Sequence, residues 1–194
     1  MHSTLRKKKG EEMKFIAPKD TIITINKHGH QTLSIAGSHL TGKEEIDELE
    51  SSKFPVGDHA RQMLMSKRRG CYDDVHRLVL GESYGVVLLP GTCIPRDKKR
   101  TSNNLHRKAV DTFGYSDPLA GAAPPMCEPA FCQYMVSIGV RDIVILHNPI
   151  PAADPNRYML KIQCFEQILS SCPGHPDFLW DCEVLFAFFC NPEG

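Results

Sequence analysis

Long apolar runs are missing from this chain of 194 residues: none approaches the ~20 consecutive apolar residues that a membrane-spanning helix needs. Basic residues stand near the N-terminus (Arg6, Lys7, Lys8, Lys9), but no apolar segment follows them, so no signal peptide is expected. Net charge is missing too. The 23 Lys and Arg balance 23 Asp and Glu, so no whole-molecule field selects nucleic acid or a membrane surface. None of the eight cysteines stands in a C-x-x-C pair, so a zinc ribbon is not supported. Gly81, Gly85 and Gly91 do not form a phosphate-binding fingerprint ahead of a helix. Ser66, Ser83 and Ser137 have no His and acid partners at a recognisable spacing, which leaves a serine hydrolase without support. These absences lead to the expectation of a cytoplasmic or other intracellular, reducing location with no membrane partner. Most of the cysteines are then read as reduced, small buried hydrophobes.

Hydrophobic residues make up 41% of the chain, enough for a packed core in one domain with a small appendage. Residues 1–13 read as a disordered basic-acidic tail. TIITI (Thr21–Ile25) and QTLSI (Gln31–Ile35) alternate apolar and polar residues across a turn that contains Gly29, which predicts a β-hairpin. Thr41 and Glu44 have capping-box spacing and predict a short acidic helix to about Ser51. Phe54-Pro55-Val56-Gly57 breaks the chain. The boundary between an appendage (14–57) and a main domain (58–194) is placed there.

Beyond it, DHARQMLMSKRR predicts a helix from Asp58. Val75–Leu80 and Val86–Thr92 read as an antiparallel hairpin. A polar loop (Pro95–Asn104) precedes a helix capped by Ser102 or Asn103, with Leu105, Ala109 and Phe113 on one face and Gly114 as its stop. A short strand at Met126-Cys127 and a helix from Pro129 to Gly139 follow. DIVILH (Asp142–His147) predicts a buried parallel strand. Tyr158, Ile162, Phe165 and Leu169 predict a helix over Arg157–Ser170, and Glu183–Phe189 a last strand. The alternation implies a three-layer α/β/α sheet of about five strands with right-handed crossovers. His28 and His30 in the first turn read as solvated. His147, at a strand end where ligands gather in such folds, reads as a satisfied histidine.

Four segments in this order resemble the zinc-dependent cytidine and deoxycytidylate deaminase superfamily: ARQMLMSKRRGC, VHRLVLGESYGVVLLPGT, LHRKAV and EPAFCQYMVSIGVRDIVIL. The resemblance covers about Asp58 to His147. It implies a zinc-activated water, held by one His and two Cys at facing helix starts, and a proton-shuttling Glu two residues after the His. Matched residue by residue, His106 fits the first ligand and Cys132 the last. Lys108 stands where the glutamate is expected, and Ala130 where the first cysteine of the P-C-x-x-C motif is expected.

The resemblance therefore implies a catalytically inactive deaminase-like protein that binds a nucleotide or nucleic acid, or acts as a non-catalytic subunit of a homo- or hetero-oligomer. Arg96, Lys98, Lys99, Arg100, Arg107 and Lys108 would then hold phosphate. Two alternatives stand beside it. One is an active zinc-dependent deaminase whose metal is held by His106, Cys127 and Cys132. The other is a structural interaction module that docks a partner through the N-terminal hairpin and helix.

Overall fold

The computed structural model describes residues 15–16, 22–152 and 156–191, the first pair as backbone only. The tail expected over 1–13 lies outside these residues. Among the described residues nine strands form one mixed sheet: β1 (Phe15–Ile16), β2 (Ile22–Ile25), β3 (Gln31–Ala36), β4 (Ser83–Pro90), β5 (Asp142–Ile145), β6 (Ile150–Pro151), β7 (Arg157–Gln163), β8 (Ile168–Pro173) and β9 (Val184–Cys190). The order runs β1-β2-β3-β4-β9-β5-β7, with β6 and β8 both paired to β7. Among the described strands only β5 and β9 pair in parallel; β3–β4, β4–β9, β5–β7 and β7–β8 are antiparallel. The sheet thus has more strands than the expected five, and crossovers are a minor part of it.

Side-chain alternation sends the central strands into two cores. Val86 and Leu88 of β4, Ala187 of β9, and Ile143 and Ile145 of β5 join the larger hydrophobic cluster. Val87, Leu89, Phe186, Phe188 and Val144 join the smaller one on the opposite face. Five helices cover the larger face: α1 (Gly42–Ser51), α2 (Asp58–Leu64), α3 (Tyr72–Val75), α5 (Ala123–Met126) and α6 (Pro129–Ser137). One helical segment covers the smaller face. It comprises α4 (Ser102–Arg107) and a π turn over Lys108–Thr112, which bury Leu105 and Ala109. Trp180 packs beside it and donates its indole N–H to Ser102 Oγ at 2.9 Å.

Local signals explain several of these elements. Thr41 and Glu44 close the capping box of α1. Asn26 Oδ1 accepts from the amides of His28 and His30 and shapes the β2–β3 turn, where Gly29 sits at φ 81°. The 14–57 segment adds β3 to β4 over six residue pairs, and Ile46, Leu49 and Phe54 enter the larger core. Val56, at the expected boundary, bridges to Leu169 and covers part of the β8 edge.

Three expected elements differ. Arg157–Ser170 is the β7–β8 hairpin rather than a helix: a spacing of four between Tyr158 and Ile162 is also an even step along a strand. Phe165, placed on the expected helix face, lies at the hairpin tip and is 75% exposed. Val75–Leu80 is not a strand. It leaves α3 as an irregular run in which Leu78 is buried while Val79 and Leu80 face solvent. Met126-Cys127 ends the short helix α5 instead of forming a strand, because Pro124 and Pro125 suit a first helical turn. Among the described residues no helix is long and apolar enough to cross a membrane.

Candidate functional site

The residues singled out by the deaminase resemblance fall on two sides of the sheet. His106 is half-exposed on α4, over the smaller core, with Nε2 2.5 Å from Asp117 Oδ1 and its ring near Phe188. Cys127 and Cys132 are buried in the larger core, under α5 and α6. Cys164 joins them there and shares a hydrogen bond with Cys132. The sheet stands between His106 and the thiols, so His106, Cys127 and Cys132 do not fit one zinc ion. Lys108 belongs with His106, and Ala130 with Cys132. Among the described residues, no three His, Cys, Asp or Glu side chains converge as a metal-holding set. Burial pushes the Cys127 thiol well up, with Cys132 and Glu45 adding to it. The hydrogen bond to Cys132, then burial, raises Cys164. Both are therefore held as neutral thiols.

The expected phosphate-binding residues also separate. Arg100 is buried and its donors are spent: Nε on Gly91 O at 2.9 Å, Nη1 on Trp180 O at 3.2 Å, and Nη2 on Ile94 O and Asp97 Oδ1. It ties the loop after β4 to the segment before β9 and cannot turn to a ligand. Arg96, Lys98 and Lys99 are exposed on that loop, which docks on α4 through Asn104 Nδ2 and Lys99 O at 2.9 Å. Arg107 is exposed on the outer side of α4. Lys108 lies with Nζ 5.4 Å from the centroid of the Phe113 ring, and its charge acts with that of Arg100 on the Cys93 thiol.

Around Phe113 the geometry becomes that of a site. A groove of about 480 Å³ opens on the smaller-core side of β2, β3 and β4, just beyond the end of the α4 segment. Its floor is strand surface: Thr24 and Thr32, whose hydroxyls are 2.7 Å apart, then Ser34, Gly85 and Cys190. Gly85 is required there, since a Cβ would meet the Cys190 carbonyl oxygen at 2.6 Å. The wall is aromatic. Phe113 lies 5.1 Å from the His28 ring and 5.6 Å from Tyr115. The π turn, a feature frequent at functional sites, immediately precedes Phe113 in the chain.

The wall is locked to the floor by hydrogen bonds. Asn26 Nδ2 donates to the Tyr115 hydroxyl at 2.8 Å, and that hydroxyl lies 2.7 Å from His30 Nδ1. Burial, then the neighbouring His28, lowers the His30 pKa, while burial raises that of Tyr115. The neutral arrangement follows: the Tyr115 O–H donates to His30 Nδ1. Lys27, exposed in the β2–β3 turn, lines the groove as well. The result is a preformed, open trough with hydroxyls below, rings at one end and an ammonium group beside them.

Among the described residues, none of the groove's lining belongs to the expected site; Lys108, over the Phe113 ring, is the expected residue that reaches its wall. The sequence places Phe113 on a helix core face and His28 and His30 in solvent. Tyr115 and His30 meet across 85 residues of sequence, which no local pattern encodes. His147 carries two structural bonds, donating from Nδ1 to Asn148 O and accepting the Leu160 amide at Nε2, so it is a satisfied core histidine. Comparison with protein-family models, curated proteins and solved structures finds no match, and nothing in them identifies a deaminase superfamily.

Proposed function

We propose that the protein binds a nucleotide unit, free or within a single strand, in the groove between the β2–β3 turn and Phe113. The observation that carries this reading is a trough of about 480 Å³ lined by Lys27, His28, Phe113 and Tyr115, with Lys108 Nζ over the Phe113 ring at 5.4 Å from its centroid. Aromatic rings and the ammonium groups of Lys27 and Lys108 are thereby gathered at one end of the trough. A base rests against Phe113 and His28, and a phosphate meets Lys108 and Lys27. Stacking of a base on an aromatic side chain is worth about 1–3 kcal/mol and tolerates different bases. The hydroxyls of Thr24, Thr32 and Ser34 suit a sugar, and the volume lies in the range of small-molecule sites. His106, Cys127 and Cys132 take no part in this reading.

Thermal unfolding with and without ligand tests it. Cytidine, adenosine and deoxycytidine monophosphates are each compared with the bare nucleoside and with ribose 5-phosphate. At about 100 times Kd a ligand adds about 2.7 kcal/mol, which raises Tm by about 5–10 °C in a chain of this size. Whole nucleotides should give the larger rise. Lys108→Ala should weaken nucleotides but not nucleosides, and Phe113→Ser should weaken both. No rise with any nucleotide at millimolar concentration, or a rise that both variants keep, contradicts the reading.

A further inference from the structure

A second surface lies across the sheet from the groove, on the α6 side. Two adjoining hollows of about 310 and 330 Å³ share Gly139, Val140 and Glu183. The first is floored by Leu88, Pro90 and Leu185 and bounded by Gln31 and Ile138. The second is bounded by Val136, Arg141, Phe165 and Glu166. Together they make one channel that runs from the start of β3, past the C-terminal end of α6, to the tip of the β7–β8 hairpin.

Apolar surface is left open along it. Phe165 is 75% exposed, Ile138 46% and Val136 37%. Phe165 shares its hollow with Val136, and Ile138 lines the adjoining one, so the three form an exposed apolar patch of the kind that marks interaction sites. Acceptors stand among the polar groups along the channel, beside the donors of His30 and Arg141. Glu166 and Glu183 stand at its rim, and Gln31 Oε1 is buried in its wall with no hydrogen-bond partner. The amide nitrogen of Gln31 donates one of its two N–H groups to the Tyr134 hydroxyl at 3.3 Å. The C-terminal end of α6 adds partial negative charge. Arg141, a cation on the channel wall, is already engaged by three carboxylates: Asp181 at 3.0 Å, Asp142 at 3.3 Å and Glu183 at 3.9 Å.

We propose that this channel docks a peptide segment in which a lysine or arginine stands next to an apolar residue. The apolar side chain packs on Phe165, Ile138 and Val136. The cation sits at the rim between Glu166 and Glu183, where its donors meet exposed carboxylates. Charge complementarity selects the occupant: an acidic segment would face Glu166, Glu183 and the helix end.

The test uses the full chain, immobilised, and a displayed library of random heptapeptides. The expected outcome is enrichment of peptides that pair Lys or Arg with a neighbouring aromatic or aliphatic residue. Re-synthesised, these should bind Phe165→Ser and Glu183→Lys at least ten-fold more weakly than the unchanged chain. Both positions are well exposed, so unchanged melting curves are expected for the variants. Failure to enrich any sequence, enrichment of acidic peptides, or equal binding to both variants overturns the proposal. So does a dimer in sedimentation velocity that Phe165→Ser dissolves, because it assigns the channel to a second copy of the chain. A nucleotide response at the groove is unaffected by any of these results.

Discussion

Glu45 offers the sharpest energetic prediction. It lies on α1 with only 4% of its surface exposed, facing the larger core. Ser38 donates to its Oε1 at 3.0 Å and the Tyr72 hydroxyl donates at 3.2 Å. Burial outweighs these bonds and pushes its carboxyl up to about 7, with Glu48 and Glu44 adding to the effect. An ordinary glutamate titrates near 4.5. Below the ordinary value the group is neutral in both folded and unfolded chains and costs nothing. As pH rises toward 7 the unfolded chain loses its proton while the folded one keeps it, so stability falls across that window. Above 7 the penalty is complete. A shift of about 2.5 pKa units at 1.36 kcal/mol each is about 3 kcal/mol. Glu45→Gln keeps the shape and the accepting oxygen but cannot ionise. Urea unfolding at pH 4.5 and at pH 8 measures the difference. With a slope of about 2 kcal/mol per molar, the variant should gain about 1.5 M in midpoint, relative to the unchanged chain, between those two pH values. Midpoint profiles that run parallel would refute the reasoning.

Other outcomes follow from the same packing. His76, buried against His147 at 5.0 Å between ring centroids, is pushed down to about 4 by burial. Its contribution is therefore lost as pH falls from 6.5 toward 4, and His76→Gln should remove about 3 kcal/mol of that acid loss, read from urea midpoints at pH 7 and 4. Arg100→Lys cannot reproduce the bonds to Gly91, Ile94 and Trp180. It should cost about 3 kcal/mol, a fall in Tm of about 6–12 °C by calorimetry. Gly42→Ala would put a Cβ 2.0 Å from the Leu64 carbonyl oxygen where α1 meets α2. The helices must separate, and a loss of about 2–3 kcal/mol in urea midpoint analysis is expected.

How much of this was legible in the sequence depends on whether the signal was local. The β2–β3 hairpin, the capping box of α1, the helix from Pro129 to Gly139 and the apolar strand β5 carry their chemistry within a few residues, and each is present. The β7–β8 hairpin was illegible because both of its faces are buried: Leu160 and Ile162 enter one core, Met159 and Cys172 the other. Without strict alternation, a four-residue spacing passed for a helix. The His106–Cys132 pairing failed for a related reason. Motif order along a chain does not say on which face of a sheet each helix lies, and the two residues are held by helices on opposite faces. The groove's lining was not legible in the sequence, although Lys108 lies over its Phe113 ring. Its aromatic wall depends on Tyr115 reaching Asn26 and His30, a contact set by sheet topology rather than by any nearby pattern.

The central claim, that a nucleotide unit lies in the trough beside Phe113, is tested most directly by amide chemical-shift mapping of the labelled chain during titration with cytidine monophosphate. The account predicts saturable shifts confined to Thr24, His28, Thr32, Gly85, Lys108 and the Phe113–Tyr115 stretch, with Cys127, Cys132 and the α6 channel unmoved. Shifts centred on His106 and Asp117 or on the buried thiols, or no saturable shift at all, would contradict it.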